Sequence, residues 1–248
     1  MNAVYILWLR QIKRYFRAKS RIIGSIGQPL LFLVALGFGL GPIYAQAGGG
    51  NYIEFLGPGI IAMGILFTAV FSGIQIIWDR QFGFLKETLV APVSRLSIMI
   101  GQTLGGATVA LLQGVIVFCL TLFVGFRPDS LGMLGIALIF AALTAILFTS
   151  LGIAIASQLE DMQGFQLIMN FIVMPLFFLS GALFPLKNLP PILSVLVHID
   201  PLSYGVDGLR GALTGVSQFT IGLDLIVLSS ITLILLIAGS YLFSKVEV

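Results

Sequence analysis

The sequence has little charge. Only 9% of its 248 residues are Asp, Glu, Lys or Arg, whereas 58% are hydrophobic. Soluble domains carry about 25% charged residues, so the chain cannot present a water-facing surface over most of its length, and a soluble domain is excluded. The net charge of +3 is also too small for a nucleic-acid-binding surface, and we expect no nucleic-acid partner.

Catalytic and metal-binding patterns are missing as well. The single cysteine, Cys119, and the single histidine, His198, cannot form a zinc site of ordinary ligand number, and we expect Cys119 to be a small buried hydrophobe. There is no G-x-x-x-x-G-K-[ST] phosphate loop and no G-x-S-x-G turn. No charge lies at the centre of a long apolar run, where ion-coupled carriers need one. We therefore predict no catalytic residue, metal or cofactor on this chain, so uphill transport would draw its energy from another chain.

Long apolar runs predict six membrane-spanning helices, because about 20 apolar residues cross the hydrocarbon core. The charge-free runs are 22–53, 55–78, 96–126, 130–159, 162–186 and 225–244. Turn-forming residues near Gly41 predict the end of the first helix. Segments 191–199 and 201–213 are too short to span, and proline opens each of them, with Asp200 placed to cap the second. They predict a re-entrant helical hairpin within an external segment, 187–224.

The basic residues predict how the chain is oriented. With the N-terminus inside, ten Lys and Arg residues fall in inner segments and three, Arg127, Lys187 and Arg210, in outer ones. Lys and Arg accumulate on the cytoplasmic side, so we expect both termini in the cytoplasm. Asp207 and Arg210, three residues apart on a helix, are interpreted as a surface pair.

Residues 1–21 predict an amphipathic interfacial helix. At 100° per residue, the aromatic and apolar residues occupy one arc and the basic residues the opposite one, as in helices that lie in the headgroup layer. The aromatic arc contains Tyr5, Trp8, Ile12, Tyr15 and Phe16, and the basic arc Arg10, Lys13, Arg14, Arg17 and Arg21. We expect Trp8 in lipid and the basic residues toward phosphates. Whether the helix only anchors the chain or also contacts a cytoplasmic partner stays open.

Two stripes inside the spans are candidates for a substrate path. Each stripe lies on one face of a helix. The alternative interpretation is helix packing, in which the amide side chains would form hydrogen bonds between helices. The candidates are Phe67, Phe71 and Gln75 in span two, and Gln163, Gln166 and Asn170 in span five. Gly101 and Gly105 would permit a close helix approach, although glycine is so frequent here that this pair carries little weight.

A short mixed-charge segment, WDRQFGFLKETLVAPVSR, joins spans two and three. Phe82, Leu85 and Leu89 would share one helical face, Pro92 would end the helix, and Ser94 can cap span three. The geometry predicts a short cytoplasmic amphipathic helix within 79–95, which without a partner would rest on the headgroups.

The order of these segments, together with SGALFP (180–185) and DPLSYGVDGLR (200–210), resembles the membrane subunit of type-two ABC exporters. The resemblance covers essentially the whole chain and is closest to the daunorubicin-resistance-like multidrug permeases. It implies one all-α transmembrane domain, 1–248, in a prokaryotic inner membrane. It also implies pairing with a second permease copy, and two separate ATPase subunits that bind ATP and Mg²⁺.

The resemblance further implies roles for the segments. The segment between spans two and three would be a coupling helix seated in a groove of the ATPase, and the N-terminal helix would also lean on that subunit. The implied coupling residues are Phe82, Phe84, Leu85, Lys86, Glu87, Leu89 and Pro92. Substrate would pass between the two halves along spans two and five. An uncharged aromatic and amide path favours an amphipathic drug or lipid-like substrate; a polysaccharide or glycolipid exporter and a non-transporting scaffold are the alternatives.

Overall fold

The computed structural model describes residues 3–84, 88, 90, 93–186 and 189–244, and in this part of the chain all regular structure is helical. A 3₁₀ turn, Leu131–Met133, precedes α6. The α-helices, in chain order, are α1 (Ala3–Arg17), α2 (Lys19–Gln46), α3 (Tyr52–Phe71), α4 (Ile74–Gln81), α5 (Arg95–Val124), α6 (Leu134–Ser157), α7 (Met162–Leu179), α8 (Pro191–Ile199), α9 (Pro201–Thr214) and α10 (Ile221–Ser244).

Six stretches of this helical structure are long and apolar enough to cross a membrane, which confirms the predicted number of spans. They are span 1 (Ile22–Gln46, in α2), span 2 (Tyr52–Gln81, α3 with α4), span 3 (Arg95–Val124, α5), span 4 (Leu134–Ser157, α6), span 5 (Met162–Leu179, α7) and span 6 (Ile221–Phe243, in α10). Ser94 caps α5 by accepting a hydrogen bond from the backbone N–H of Ser97 at 3.1 Å, as predicted.

Spans 2 and 4 form the centre of the bundle. In their most apolar stretches 72% and 61% of the residues are buried, compared with 17% in span 1 and 22% in span 5. Spans 1 and 5 therefore leave broad apolar faces for lipid or for another protein chain. Cys119 also lies on an exposed face, of α5, so the expectation that it is buried was wrong.

The hairpin before span 6 consists of two helices that meet at Asp200. The Asp200 carboxylate accepts a hydrogen bond from the backbone N–H of Leu202 at 2.8 Å, and Pro201 is the first residue of α9. α9 is buried from Leu202 to Arg210 and packs against α3, α6 and α10. The two short helices lie where they were predicted; that they form a re-entrant hairpin in the membrane stays a prediction.

Two boundaries differ from the sequence-based expectation. α2 continues past Gly41 to Gln46 with Pro42 inside it; the fixed φ of proline, near −65°, is compatible with a helix, although the proline removes one backbone donor. The turn comes later, at Gly48 and Gly50, whose φ angles are +80° and +74°.

Span 2, in contrast, tightens at Ser72 and Gly73, where the backbone keeps right-handed helical angles but the N–H of Gly73 bonds to the carbonyl oxygen of Val70, three residues back. Gly73 lies against the backbone of α6: a Cβ atom there would stand 2.3 Å from the carbonyl oxygen of Gly152. A Cβ on Gly152 would meet the Val70 carbonyl oxygen at 2.3 Å. Glycines at both positions let spans 2 and 4 touch backbone to backbone.

Candidate functional site

The N-terminal helix, the end of span 2 and the end of span 4 meet at one end of the bundle. We call it the basic end, defined by α1, residues 78–84 and residues 158–161. Arg10, Arg14 and Arg80 are there, on α1 and α4. This is the end at which the sequence places the coupling segment.

Asp79 joins α1 to α4. Its carboxylate is 5% exposed and accepts hydrogen bonds from the guanidinium of Arg10 and from the Gln75 side-chain amide, the latter at 2.7 Å. The Arg14 guanidinium lies 3.9 Å from the same carboxylate and 5.7 Å from the centre of the Trp78 ring. A buried carboxylate requires partners of this kind, so α1 is bound to the end of span 2 by charge as well as by packing.

The neighbouring residues join α4 to the end of span 4. Arg80 donates to the carbonyl oxygens of Ser157 at 2.9 Å and Leu159 at 3.0 Å, and Gln81 donates to the carbonyl oxygen of Glu160 at 3.1 Å. The last carbonyls of a helix have no partner within the helix and carry partial negative charge, which a guanidinium satisfies. Residues 79–81 are thus held by α1 on one side and by the end of α6 on the other.

A groove of about 580 Å³ opens between α1 and the residues that follow α4. Its apolar side presents Trp78, Phe82 and Phe84, which are 40%, 66% and 53% exposed. The basic side chains that line it are Arg10, Lys13, Arg14 and Arg17. Exposed aromatic rings beside arginines are typical of protein–protein contact surfaces.

The predicted coupling residues are only partly described. Phe82 and Phe84 are exposed in the groove, whereas Leu85, Lys86, Glu87, Leu89 and Pro92 lie outside the described residues. Phe82 ends α4, and Gly83 follows with φ +80°. A left-handed residue therefore follows the end of α4. Leu85 and Leu89 lie outside the described residues, so the helical face that they were expected to share with Phe82 stays a prediction.

The N-terminal helix packs along span 3. Trp8 donates from its indole nitrogen to the hydroxyl of Thr108 at 3.0 Å. A Cβ on Gly101 would meet the Leu7 Cβ at 2.9 Å, and one on Gly105 would meet the Gln11 Cβ at 2.7 Å. The amphipathic helix is confirmed, and its close contact uses the Gly101–Gly105 pair. Trp8 contacts protein, however, where lipid was expected. The amphipathic pattern predicts an apolar face on the helix, but it does not distinguish lipid from a neighbouring helix.

Gln113, a residue of span 3 with no accessible surface, connects α1 to α2. Its side-chain oxygen accepts hydrogen bonds from the hydroxyls of Tyr15 at 3.2 Å and Ser25 at 2.9 Å. Tyr15 is 6% exposed, so it too faces protein where lipid was expected. One buried amide therefore fixes the angle between the N-terminal helix and span 1.

At the opposite end of the bundle, Asp207 and Arg210 are buried and do not form the surface pair that was expected. Arg210 donates to the carbonyl oxygen of Gly181 at 2.8 Å and, more weakly, to that of Phe55 at 3.4 Å, with its guanidinium 4.1 Å from the centre of the Phe55 ring. Burial lowers the pKa of Arg210 to about 10. Asp207 accepts from the backbone N–H of Gln218 at 2.9 Å. The sequence correctly placed Asp207 and Arg210 on one helix, but each of them bonds to a residue outside that helix.

Residues 2–214 match the family described as ABC-2 type transporter. The chain belongs to the ABC-2 type transporter family. Similar proteins include the putative transport permease ycf38 of Pyropia yezoensis, 32% identical over 85% of this chain and 73% of the relative. Nodulation protein J of Rhizobium leguminosarum bv. trifolii is 30% identical over 85% of this chain and 78% of the relative. The inner membrane transport permease YadH of Escherichia coli K12 is 27% identical over 87% and 84%.

In this ABC-2 permease the two predicted path stripes do not face each other. Phe67 and Phe71 stack, with centroids 6.3 Å apart, and contact Phe177 and Phe165 on the buried face of α7. Gln75 is bonded to Asp79 and is 7% exposed. The amides of span 5 point to the other, exposed side of α7; they are Gln163, Gln166 and Asn170.

The roles of Asp79, Arg80 and Gln113 in joining the helices of this ABC-2 permease were not predicted from the sequence. Asp79 and Arg80 were assigned only to the coupling loop, and Gln113 was passed over inside an apolar run. A usable pattern did exist: a glutamine within a span is costly unless it is bonded. Among the described residues no group of three or more His, Cys, Asp or Glu residues could hold a metal, and the absence of catalytic residues stays a prediction.

We expect Asp79→Ala to lower the free energy of unfolding of this ABC-2 permease by about 1–3 kcal/mol, because it leaves two arginines without their carboxylate. The expected loss in the free energy of unfolding is small because the Arg10 side chain is 35% exposed, and solvent screens its interaction with the Asp79 carboxylate. Unfolding would be followed by denaturant titration in mixed micelles. A cycle with Arg10→Ala should show non-additivity, and Glu160→Ala, an exposed carboxylate at the same end, should have little effect. Additive losses would contradict the bonding described for Asp79.

Proposed function

We propose that this chain is the membrane-spanning subunit of an ATP-driven exporter. The observation that carries the proposal is the groove at the basic end, in a chain of the ABC-2 type transporter family. The groove offers a partner exposed aromatic rings and basic residues. Residues 79–81 lie beside it at the end of span 2 and are bonded to the end of span 4. A partner that closes on it would move those spans as a rigid body.

The proposed partner is an ATP-binding-cassette subunit, present in two copies that carry ATP and Mg²⁺. The basic end then faces the cytoplasm of a prokaryotic cell, in agreement with the distribution of Lys and Arg, and both termini are cytoplasmic. A second permease copy would cover the apolar faces of spans 1 and 5, where Leu31, Phe38 and Phe171 are 69%, 61% and 82% exposed.

The proposed cargo is an amphipathic drug or lipid-like molecule. The exposed amides of α7 lie on the face that a second copy would meet, so they could line a path between two halves. No charged residue belongs to this stripe, which suits an uncharged or weakly polar cargo. A polysaccharide or glycolipid is the alternative cargo, and ATP-dependent movement of daunorubicin in the test below would favour the amphipathic drug over it.

We expect a gene for an ATP-binding-cassette subunit to lie beside the gene for this chain, and the test is reconstitution of the chain with that subunit. We expect the two to co-purify and to move daunorubicin across vesicles only when the partner hydrolyses ATP, so a partner lacking its phosphate-loop lysine should assemble without transport. Changing Gln163, Gln166 and Asn170 together to Leu should alter the stimulation of ATP hydrolysis by daunorubicin at least threefold while assembly is kept. Unchanged stimulation would make the amides packing groups, and absence of a complex would overturn the proposed function.

A further inference from the structure

A buried carboxyl group without a hydrogen-bond partner lies at the start of span 6. Asp224 has no accessible surface, and neither of its carboxylate oxygens has a partner among the described residues. Leu228 and Thr232 follow at intervals of four residues and are 0% and 5% exposed, so all three share the inward face of α10. Asp224 therefore points into the bundle, at the end opposite the basic end, and is shielded from water.

The carboxylate of Asp207, on α9, is bonded quite differently. It accepts hydrogen bonds from the backbone N–H groups of Gln218 at 2.9 Å and Phe219 at 2.8 Å, just before α10 begins. Hydrogen bonds of this kind favour the ionised form of a carboxyl group. Asp207 is near enough to act on Asp224 through its charge. Because two adjacent buried carboxylates repel each other, one of the pair has to be neutral, and the unbonded Asp224 is the one that gains by it.

The ionisable groups around Asp224 offer it no cation. α6, along which α10 packs, contains no ionisable residue, and Arg210 of α9 donates to the carbonyl oxygens of Gly181 and Phe55. The other ionisable groups on the elements around α10 are Tyr204 and Asp207 on α9, Arg95 and Cys119 on α5, Arg127 and Asp129 in the loop before α6, and His198 on α8. In the part of the chain that the structure describes, none of them is hydrogen-bonded to Asp224. A buried carboxyl group in this position takes up a proton in place of keeping its charge.

We propose that Asp224 holds a proton at neutral pH and forms, with the ionised Asp207, a one-proton site that keeps α9 seated on the start of span 6. Loss of the proton would place two buried negative charges side by side and push the helices apart. This site is distinct from the docking groove and requires neither a partner subunit nor a cargo.

A metal ion is a poorer occupant than a proton. Both oxygens of Asp207 already accept backbone hydrogen bonds, which leaves mainly the two oxygens of Asp224, whereas hard cations need about six oxygen ligands. Among the described residues no group of three or more His, Cys, Asp or Glu residues could hold a metal.

The first test compares the wild type with Asp224→Asn, which has the shape of the protonated acid and no charge. An unfolded Asp has a pKa of about 3.9, so between pH 5 and pH 7 the wild-type chain must take up a proton on folding, and its stability falls as the pH rises. The variant takes up no such proton. The ratio of their folding equilibrium constants, variant over wild type, should therefore rise about tenfold per pH unit. It would be measured by denaturant titration of the full chain in mixed micelles.

Two further carboxyl variants serve as controls. Asp129→Asn changes an exposed carboxylate at the same end, and its ratio to the wild type should not depend on pH. Asp207→Asn removes a group that is ionised in both states, so it should lower stability by the same factor at pH 5 and pH 6. A constant ratio for Asp224→Asn from pH 5 to pH 7 would overturn the proposal. A ratio that changes when Na⁺ is replaced by choline, or when a chelator is added, would overturn it in favour of a metal ion.

Infrared spectroscopy of the folded chain gives a second measurement, which does not depend on the stability of Asp224→Asn. At pH 7 it detects the carbonyl stretch of a protonated carboxyl group. Burial raises the pKa of Asp200 to about 7, so the spectrum is recorded on Asp200→Asn. Asp224 is then the remaining buried carboxyl group with unbonded oxygens among the described residues. We expect the band to be present in this variant, and its absence would show that Asp224 is ionised.

The seating of α9 has its own readout, hydrogen exchange. Raising the pH from 7 to 9 should lower the protection of the backbone N–H groups of Gln218 and Phe219 about tenfold in the wild type, relative to Asp224→Asn at the same pH, because the site opens locally when the proton is lost. Equal protection in the two proteins at pH 9 would show that the proton does not hold α9 in place.

Discussion

Co-purification of the ATP-binding-cassette subunit is expected to be lost when Phe82 and Phe84 are both replaced by Asp. Both rings are more than half exposed, so the fold of the chain does not depend on burying them. Aromatic anchors at the centre of an interface each contribute about 2 kcal/mol or more. Losing two corresponds to about 4 kcal/mol, or roughly a thousandfold in affinity. The measurement is the amount of partner retained on the affinity-tagged permease.

A matched control is available at the opposite end. Val216 is 63% exposed and lies between α9 and α10, so Val216→Asp adds a similar charge to an exposed apolar position. It should leave the complex intact. An undiminished complex with normal ATP-dependent transport in the Phe82 and Phe84 double variant would place the docking surface elsewhere.

Gly73→Ala is expected to be among the most destabilising additions of a single methyl group to the bundle. The new Cβ would lie 2.3 Å from the carbonyl oxygen and 2.5 Å from the carbonyl carbon of Gly152. These are backbone atoms, so no side-chain rotation can relieve the clash, and α4 must shift relative to α6. We expect the free energy of unfolding to fall by about 3 kcal/mol. Because α4 carries Asp79 and Arg80, assembly with the partner should weaken too.

Gly39→Ala provides the comparison for this prediction. A Cβ on Gly39, in α2, has no atom within 4 Å, and alanine favours a helix over glycine by about 0.5–1 kcal/mol. Gly39→Ala should therefore be neutral or stabilising in the same denaturant titration. Similar behaviour of the two variants would show that the contact between Gly73 and Gly152 is not close enough to matter.

The parts of the fold that depend on local sequence were predictable. The number of spans follows from the length of each charge-free run. The cap positions of Ser94 and Asp200 follow from the residues beside them. The close approach of Gly73 to Gly152 was not predictable in the same way. The two glycines are about eighty positions apart, and nothing near Gly73 marks that contact.

The candidate site was predicted only in outline. The sequence gives an amphipathic N-terminal helix and a mixed-charge connector, and both contribute to the groove. The bonds that join them depend on which buried face meets which helix. Periodicity places Trp8 on an apolar arc but does not reveal that Thr108 faces it, and it places Asp79 beside Gln75 but does not reveal that Arg10 of α1 reaches it. Such pairings between helices arise from tertiary packing alone.

The bonds of Arg210 also imply an order in time. Arg210 joins the carbonyl oxygens of Phe55 and Gly181, which precede it in the chain by 155 and 29 positions. Chains are synthesised from the N-terminus, so these carbonyls have no guanidinium to bind until α9 has been made. This end of the bundle therefore lacks the guanidinium that joins these carbonyls until α9 has been made, and the completion of α9 is the earliest moment at which the end can close.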